Sequence, residues 1–473
     1  MIFDKLLRLK PIEQLMEARE ESPGHLKRVL GPWALTSLGI GSIIGAGIFA
    51  LTGTAASKAG PGIMLSFVIA AMACAFAGFC YAEFASMIPV AGSAYTYAYA
   101  TLGEMMAWLV GWNLLLEYAV GNSAVASSWG GYFNNLLAFF NVQIPPQLLC
   151  APGNHGGIIN LPALFIVLTI TWLLSRGIQE SSKANNVMVL VKLAIILFFI
   201  ALGGMFVKPM NWHPFMPHGF SGVMMGAGLV FFSFIGFDAV STAAEETKNP
   251  QKDLPFAIIA SLVVCTILYL LVAAVMTGIV PYQLLNVPDP MAVALNAIHQ
   301  NWASAIISMG ALAGMTSCLL VFSMGQTRIL YTMAKDGFLP NRMAEIHPKF
   351  STPYLNTWVV GWITAIGAAL LPIDILAELC NIGTLFAFTV VCVGVLILRK
   401  TKPLAKRPFR CPWVPVIPSL GILFNLYLIM SLPVATWIRF GVWVALGIAI
   451  YYLYGQRRID ARLAEEKPVL AEV

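Results

Sequence analysis

The chain has 473 residues, of which 59% are hydrophobic and only 11% are charged. Soluble domains carry about 25% charged residues, so this composition excludes a soluble protein. Long apolar runs recur from end to end and predict an integral membrane protein with many spans. The net charge of +6 is compatible with nucleic-acid binding, but the positions of the basic residues argue against that use.

Twelve apolar runs are long enough to cross a bilayer, at about 20 residues a crossing. In chain order they cover 33–56, 62–87, 104–137, 158–176, 184–206, 220–246, 255–280, 302–334, 354–371, 376–399, 413–432 and 435–455. Residues 1–32 are charged and lack the apolar core of a cleavable signal peptide. We expect residues 1–32 and the charged tail, 456–473, to be cytoplasmic segments.

The lysines and arginines predict the orientation. An even number of spans with a cytoplasmic start places 24 of the 28 on the cytoplasmic side and 3 on the other side. This is the positive-inside bias of membrane proteins, so both termini are expected in the cytoplasm. The basic residues therefore mark topology, and no nucleic-acid partner is expected. The remaining basic residue, Lys192, lies in mid-membrane.

Span 1 contains the sequence GSIIGAGIF at 41–49, with glycines at Gly41, Gly45 and Gly47. Glycine in a helix interior lowers helix stability by roughly 1 kcal/mol relative to alanine. A helix that only faces lipid has no compensating benefit from such residues. Two uses are open. The glycines either allow close helix packing, or they open the backbone so that freed N–H and C=O groups bind a polar solute.

Span 6 carries a matching interruption, FFSFIGFD at 231–238, with Ser233 and Gly236 in mid-span. Spans 1 and 6 each open a successive set of five spans. Paired interruptions in corresponding helices of two halves indicate a transporter binding site. This favours broken helices over packing alone.

Two facing breaks offer binding groups for both an anion and a cation. Helix N-termini present N–H groups, and helix C-termini present carbonyls. An α-amino acid zwitterion matches this pair better than a sugar or a simple ion. We assign its carboxylate to the N–H groups of Ala46 and Gly47. Its ammonium is expected at carbonyls near Ile43, Phe232 and Ile235. Phe232 is either a gate across the pocket or an ordinary packing residue.

Lys192 lies about 12 Å along span 5, near the middle of the ~30 Å hydrocarbon core. A charged lysine there is costly, and such residues are usually functional. It is interpreted either as a proton carrier or as a structural lysine paired with carbonyls of the span 1 break. Both interpretations place it next to Gly41 and Ile44. Thr316 and Ser317 on span 8 either hydrogen-bond near Lys192 or serve helix packing.

Two carboxylates, Glu117 on span 3 and Asp238 after the span 6 break, share the interior. Each orients the site, gates it or relays protons, or is purely structural. Four further glutamates lie near span ends, where a solvated or capping role is the default: Glu83, Glu104, Glu245 and Glu246. The eight cysteines and six histidines show no metal-ligand spacing, so no metal is expected. No phosphate-binding glycine loop appears, so neither a cofactor nor ATP-driven pumping is expected.

Four stretches give the sequence a family resemblance. They are GIGSIIGAGIF at 39–49, YAEFASMIPVAGSAYTYAYATLGE at 81–104, FFSFIGFDAVSTAAEETKNPQKDLP at 231–255 and RILYTMAKDGFLP at 328–340. With them the chain resembles the amino acid–polyamine–organocation (APC) transporter superfamily, and it is similar to bacterial members of the cationic amino acid transporter group. The resemblance implies an all-α, LeuT-like fold of twelve transmembrane helices with a five-plus-five inverted repeat and discontinuous helices 1 and 6. The repeats would cover 33–206 and 220–399, with helices 11 and 12, at 413–455, peripheral.

The resemblance also implies a substrate site. The matching positions are Ile43, Gly45, Ala46, Gly47, Phe232, Ile235 and Gly236. Lys192 matches a lysine that takes the place of sodium in proton-coupled relatives. Relatives often have Thr or Ser where this chain has Ala46, so one hydroxyl contact to the substrate is absent. Phe322 on span 8 falls about where the family contacts the substrate side chain, and its bulk favours small neutral amino acids.

These observations predict a permease of the bacterial inner membrane that imports small neutral L-amino acids, such as alanine, by proton symport. Alternatives are a cationic amino acid transporter, an exchanger that needs no ion gradient, and a sodium-coupled transporter, against which Lys192 argues. A non-transporting membrane sensor or an intramembrane enzyme would need a signalling domain or a nucleophile–base pair, and the sequence shows neither. The expected partners are an amino acid, protons and the lipid bilayer; a small membrane subunit cannot be read from the sequence.

Overall fold

The computed structural model describes residues 8–12, 28–139, 142, 144–152, 156–287, 289–456 and 458. Within these ranges the chain is helical, and the β-type pairing is one isolated bridge between Leu30 and Thr247. The helices of the first half are α1 Pro32–Ile43, α2 Thr52–Ala59, α3 Ile63–Met87, α4 Ala94–Thr101, α5 Glu104–Phe139, α6 Pro146–Leu149, α7 Leu161–Arg176 and α8 Ile178–Gly204. Those of the second half are α9 Gly219–Val230, α10 Ala239–Thr242, α11 Pro250–Ile279, α12 Pro290–Ala297, α13 Asn301–Lys335, α14 Tyr354–Leu370, α15 Ile373–Thr401, α16 Val416–Met430 and α17 Val434–Ile450.

Several helical stretches can cross a membrane. Among the described residues, seven have the length and apolar composition of a span: Gly47–Met87, Asn185–Gly204, Gly219–Thr242, Pro250–Ile279, Asn301–Lys335, Ile375–Thr401 and Val434–Gly455. The helices α7, α14 and α16 are apolar but shorter. The chain is therefore an all-helical, multi-pass membrane protein, while the count of twelve spans and the inverted repeat stay predictions.

The long helices α5 and α13 pack against each other at the centre of the bundle. Around them, α11 contacts both α3 and α1, α8 packs on α13, and α15 packs on α5. The eight-residue helices α4 and α12 lie outside the predicted spans, because a segment of that length carries too little periodicity to be recognised. The centre of the bundle thus brings α1, α8, α11 and α13 around one point.

The two ends of the bundle differ. One end, which we call the terminal face, carries described residues near both ends of the chain: Lys10 Nζ lies 2.6 Å from Asp336 Oδ1, and Arg458 donates to Asn341 at 2.6 Å. The other end, which we call the opposite face, carries residues 281–287 and 289, which lie between α11 and α12.

The terminal face is closed by contacts between the start of α1 and the segment after α10. The N–H groups of Val29 and Leu30 donate to the Glu246 carbonyl at 2.9 and 3.0 Å, and the Lys248 N–H donates to the Leu30 carbonyl at 2.9 Å. The Glu246 carboxylate forms a buried ion pair with Arg328 of α13. These contacts tie three helices together at this face.

The expected solvated role is wrong for Glu83, Glu104 and Glu246, whose side chains are buried. Glu104 does lie in the first turn of α5, as a capping role requires. Glu83 accepts hydrogen bonds from Arg399 at 2.7 and 3.0 Å and from Arg407 at 3.2 Å. Glu104 accepts from the Tyr451 hydroxyl at 2.7 Å. Buried carboxylates need such partners, and these come from segments that the sequence alone does not place beside them.

Candidate functional site

The first interruption lies where α1 ends, at Ile43. Ile44 has an extended backbone (φ −79°, ψ 94°), and the chain resumes as a π-helical turn at Gly47–Leu51. In the described part of the chain, the N–H groups of Gly45 and Ala46 make no backbone hydrogen bond. Free N–H groups at this depth suit an anionic group such as a carboxylate.

The second interruption follows α9. A 3₁₀ turn at Phe231–Phe234 leads to Ile235, which is extended (φ −62°, ψ 135°), and to Gly236 at φ +119°. Residues that carry a side chain rarely adopt that backbone conformation, so glycine is needed at this position. The chain becomes helical again at Ala239.

The two interruptions touch each other. The Ser42 hydroxyl donates to the Gly236 carbonyl at 2.8 Å. A Cβ added at Gly47 would lie 2.4 Å from Ser233 Cα, so only glycine permits this approach. The structure thus brings together Ile43, Gly45, Ala46 and Gly47 with Ile235 and Gly236, while their use in substrate binding stays a prediction.

Tyr269 of α11 bridges the two interruptions, and sequence reasoning missed it. Its hydroxyl lies 2.9 Å from the Ile43 carbonyl and 2.9 Å from the Ser233 carbonyl. Its one proton therefore serves two carbonyls that the breaks leave without helical partners. The signal in the sequence was the one tyrosine within the apolar run of α11, since a buried tyrosine hydroxyl usually has a partner.

Lys192 of α8 is fully buried behind the first interruption. Its Nζ donates to the carbonyls of Gly41 at 2.8 Å and Ile44 at 3.0 Å, and lies 3.4 Å from Ser317 Oγ. Ser317 also donates to Asn185 Oδ1 at 2.7 Å, a neighbour that the sequence did not indicate. Three acceptors match the three donors of an ammonium group. The structure brings Lys192 to Gly41 and Ile44, whereas its use as a proton site stays a prediction.

Two residues of α13 take positions that sequence reasoning did not resolve. Thr316 accepts from Trp129 Nε1 at 3.0 Å and so does not join Lys192, because consecutive helical residues point about 100° apart. Of the two roles open to Thr316, the structure supports helix packing, whereas Ser317 lies beside Lys192. The Phe322 ring packs edge-on against Tyr118 of α5, with centroids 5.2 Å apart. Its contact with substrate stays a prediction.

The two interior carboxylates are both fully buried. Asp238 Oδ2 accepts a 2.6 Å hydrogen bond from the Tyr118 hydroxyl. Within the described ranges, Asp238 Oδ1 and both carboxylate oxygens of Glu117 have no hydrogen-bond partner. Gating or polar support by this pair stays a prediction.

Phe232 differs from the other aromatic residues of the second interruption. The ring of Phe231 packs edge-on and that of Phe237 packs tilted against Phe388, and Phe234 packs edge-on against Tyr269. Among the described residues, no aromatic ring packs on Phe232, whose side chain is nevertheless buried. Its use as a gate or as an ordinary packing residue stays a prediction.

Two helices are interrupted where they meet, with free backbone donors at the first interruption and a buried lysine behind it, an arrangement typical of membrane transporters. Residues 30–453 match the model of the amino acid permease family. The chain therefore belongs to the amino acid permease family, which confirms the resemblance to the APC superfamily.

Relatives of known function are similar over nearly the whole chain. The branched-chain amino acid permease BcaP of Bacillus subtilis (strain 168) is 52% identical over 96% of this chain and 98% of its own length. The methylthioribose transporter of the same organism is 50% identical over 96% and 99%. The chloroplastic cationic amino acid transporter 9 of Arabidopsis thaliana is 34% identical over 97% and 93%. These relatives are transporters, which supports a transport role over an enzymatic one.

Proposed function

We propose that this permease imports uncharged L-amino acids by proton symport across the inner membrane. The observation that carries the proposal is the pair of contacting interruptions with the Lys192 ammonium on the carbonyls of Gly41 and Ile44. In this proposal the terminal face is cytoplasmic, as the distribution of basic residues indicates.

The substrate carboxylate would take the free N–H groups of Gly45 and Ala46, together with that of Gly47. Its ammonium would take the carbonyls near Phe232 and Ile235. The Ile43 carbonyl already accepts from Tyr269, so it has one lone pair left for substrate. Glycine at Gly236 keeps that side of the site open to the substrate backbone.

The substrate side chain is proposed to be neutral and small to medium in size. Ile43, Phe232 and Phe322 supply apolar surface, and Ala46 offers no hydroxyl. The relative named branched-chain amino acid permease supports the same class of side chain. Alanine remains the first candidate, with leucine as the test of larger side chains. The relative named methylthioribose transporter makes that sugar a competitor worth testing.

Proton coupling is proposed to act through the hydrogen bonds that Lys192 donates to the first interruption. A protonated lysine donates three hydrogen bonds, whereas a neutral one donates two and turns a lone pair toward its acceptors. Loss of the proton therefore weakens the hold on Gly41 and Ile44. The end of α1 would then be free to move, which links protonation to opening of the site.

The test is uptake of radiolabelled alanine and leucine into proteoliposomes with an inward proton gradient. Lys192→Met is expected to lose gradient-driven accumulation while the purified protein still binds substrate. Lys208→Met is the matched control, because it makes the same change at an exposed lysine. Unchanged accumulation in Lys192→Met would refute the proton role and leave a structural lysine.

The same vesicles distinguish the alternatives. Excess unlabelled arginine or methylthioribose should compete weakly. Strong competition by arginine, without alanine uptake, would move the substrate to the cationic class. Counterflow that needs no pH gradient, and that Lys192→Met retains at the wild-type rate, would indicate an exchanger.

A further inference from the structure

A cavity of about 570 Å³ lies between the second half of the broken helix 1 and the segments of the opposite face. Ala50, Leu51 and Thr54 form its floor, and exposed Asn286 stands at its rim. Its size falls in the range of small-molecule binding sites. We call it the vestibule.

A hydrogen-bonded layer separates the vestibule from the two interruptions. The Tyr132 hydroxyl of α5 donates to the Phe49 carbonyl at 2.6 Å, and the two rings meet edge-on with centroids 6.3 Å apart. Phe49 follows Gly47 by two residues and precedes Ala50, which lines the vestibule. A solute in the vestibule is thus one aromatic layer away from the proposed substrate site.

One side of the vestibule is rich in hydrogen-bond donors. Asn134 and Asn160 line it, and their side-chain oxygens already accept the backbone N–H groups of Ile144 and Ala163, both at 3.1 Å. Their NH₂ groups are therefore the part left for a ligand. The hydroxyl of Ser128, also in the lining, is buried and has no hydrogen-bond partner within the described residues.

Asp289 is the carboxylate of the vestibule lining. It precedes α12, yet its side chain makes no capping hydrogen bond, and within the described ranges it forms no ion pair. A half-buried carboxylate without a cation attracts one. Donors together with a single unpaired carboxylate are complementary to a zwitterion.

We propose that the vestibule is a second binding site for the amino acid, which holds its ammonium at Asp289 and its carboxylate at the NH₂ groups of Asn134 and Asn160 and the hydroxyl of Ser128. This inference rests on the proposed function, because the ligand is the transported amino acid. The site would hold substrate outside the Phe49–Tyr132 layer before it reaches the interruptions.

The vestibule site has a distinctive pH dependence. Burial raises the pKa of Asp289 to about 6. Cys150 is the other titratable side chain among the described residues of the lining, and Tyr132 of α5 lies close enough to interact with Asp289; both residue types are uncharged at neutral pH. Asp289 is therefore charged above about pH 6 and binds an ammonium there, and it loses that attraction as the pH falls through 6.

The experiment measures binding and uptake of leucine by the full-length protein, for wild type and Asp289→Asn. At pH 7.5, wild type is expected to bind two leucines per chain, and Asp289→Asn one. The KM for uptake should rise at least about fivefold in the variant, with the maximal rate unchanged, and the two proteins should converge at pH 5. Glu378→Gln is the matched control, since it removes a carboxylate that lies outside the vestibule and faces Arg439.

The outcomes separate the two proposals. One leucine per wild-type chain, with the same KM in Asp289→Asn at pH 7.5, would overturn the vestibule site and leave the transport function standing. No binding or uptake of any tested amino acid by wild type would overturn both. A rise in KM equal to that of Glu378→Gln would also count against the vestibule site, because a general change in surface charge would then explain it.

Discussion

The Gly236→Ala substitution tests whether the contact between the two interruptions is required for transport. Gly236 has φ +119°, and a Cβ built there would lie 2.9 Å from Ser42 Cβ and 3.1 Å from the Ser42 carbonyl. The substitution therefore imposes both backbone strain and a collision with α1. A one-carbon change at this site acts on the geometry without altering charge.

The cost has two parts. A non-glycine residue in such a backbone region costs about 1–3 kcal/mol. Overpacking against a neighbour that is partly backbone costs about another 1–3 kcal/mol. The contact between the interruptions should thus be destabilised by about 2–6 kcal/mol. At 1.4 kcal/mol for each factor of ten, even the lower value reduces its population about thirtyfold.

The assay is initial-rate uptake in proteoliposomes, combined with the thermal unfolding midpoint of the purified protein. Gly236→Ala should lose at least about thirtyfold in uptake. Gly228→Ala is the control on the preceding helix, where an added Cβ meets only Ser431 Oγ at 3.8 Å. Wild-type uptake and an unchanged midpoint in Gly236→Ala would refute the reasoning, because the strain and the collision would then have no functional consequence.

Two further substitutions test buried partners. Tyr269→Phe leaves the carbonyls of Ile43 and Ser233 without their shared donor, at roughly 1–3 kcal/mol for each buried group, so the midpoint of thermal unfolding should fall; an unchanged midpoint would mean that other donors replace the hydroxyl. Glu246→Gln leaves the buried Arg328 charge unpaired and should cost about 3–5 kcal/mol by the same measurement. Adding Arg328→Met should recover part of that loss, and a single variant as stable as wild type would show that the pair contributes little.

The contacts of Lys192 could be predicted from the sequence because few partners exist at that depth. A charge in mid-membrane needs acceptors, and an interrupted helix is the only local source of free carbonyls. The glycines in GSIIGAGIF indicated the interruption, so Gly41 and Ile44 were predicted as the neighbours of Lys192. A glycine in mid-span likewise indicated the second interruption at Gly236. Glycine readily adopts the positive φ that the structure has there.

Contacts between distant helices could not be predicted in the same way. Glu246 pairs with Arg328 and Glu83 with Arg407, which are separated by 82 and 324 positions. Each carboxylate lies near a helix end, and local sequence does not distinguish a buried end from a solvated one. Tyr269 was missed for a related reason, since its partners become visible only when both interruptions are in place.

The main-chain pairing of Val29 and Leu30 with Glu246 and Lys248 has a mechanical consequence. Three backbone hydrogen bonds couple the half-helices on the terminal side of the two interruptions, and no side chain takes part in them. A displacement of one half-helix therefore strains its hydrogen bonds to the other. A movement of both together away from α13 would also have to break the ion pair between Glu246 and Arg328.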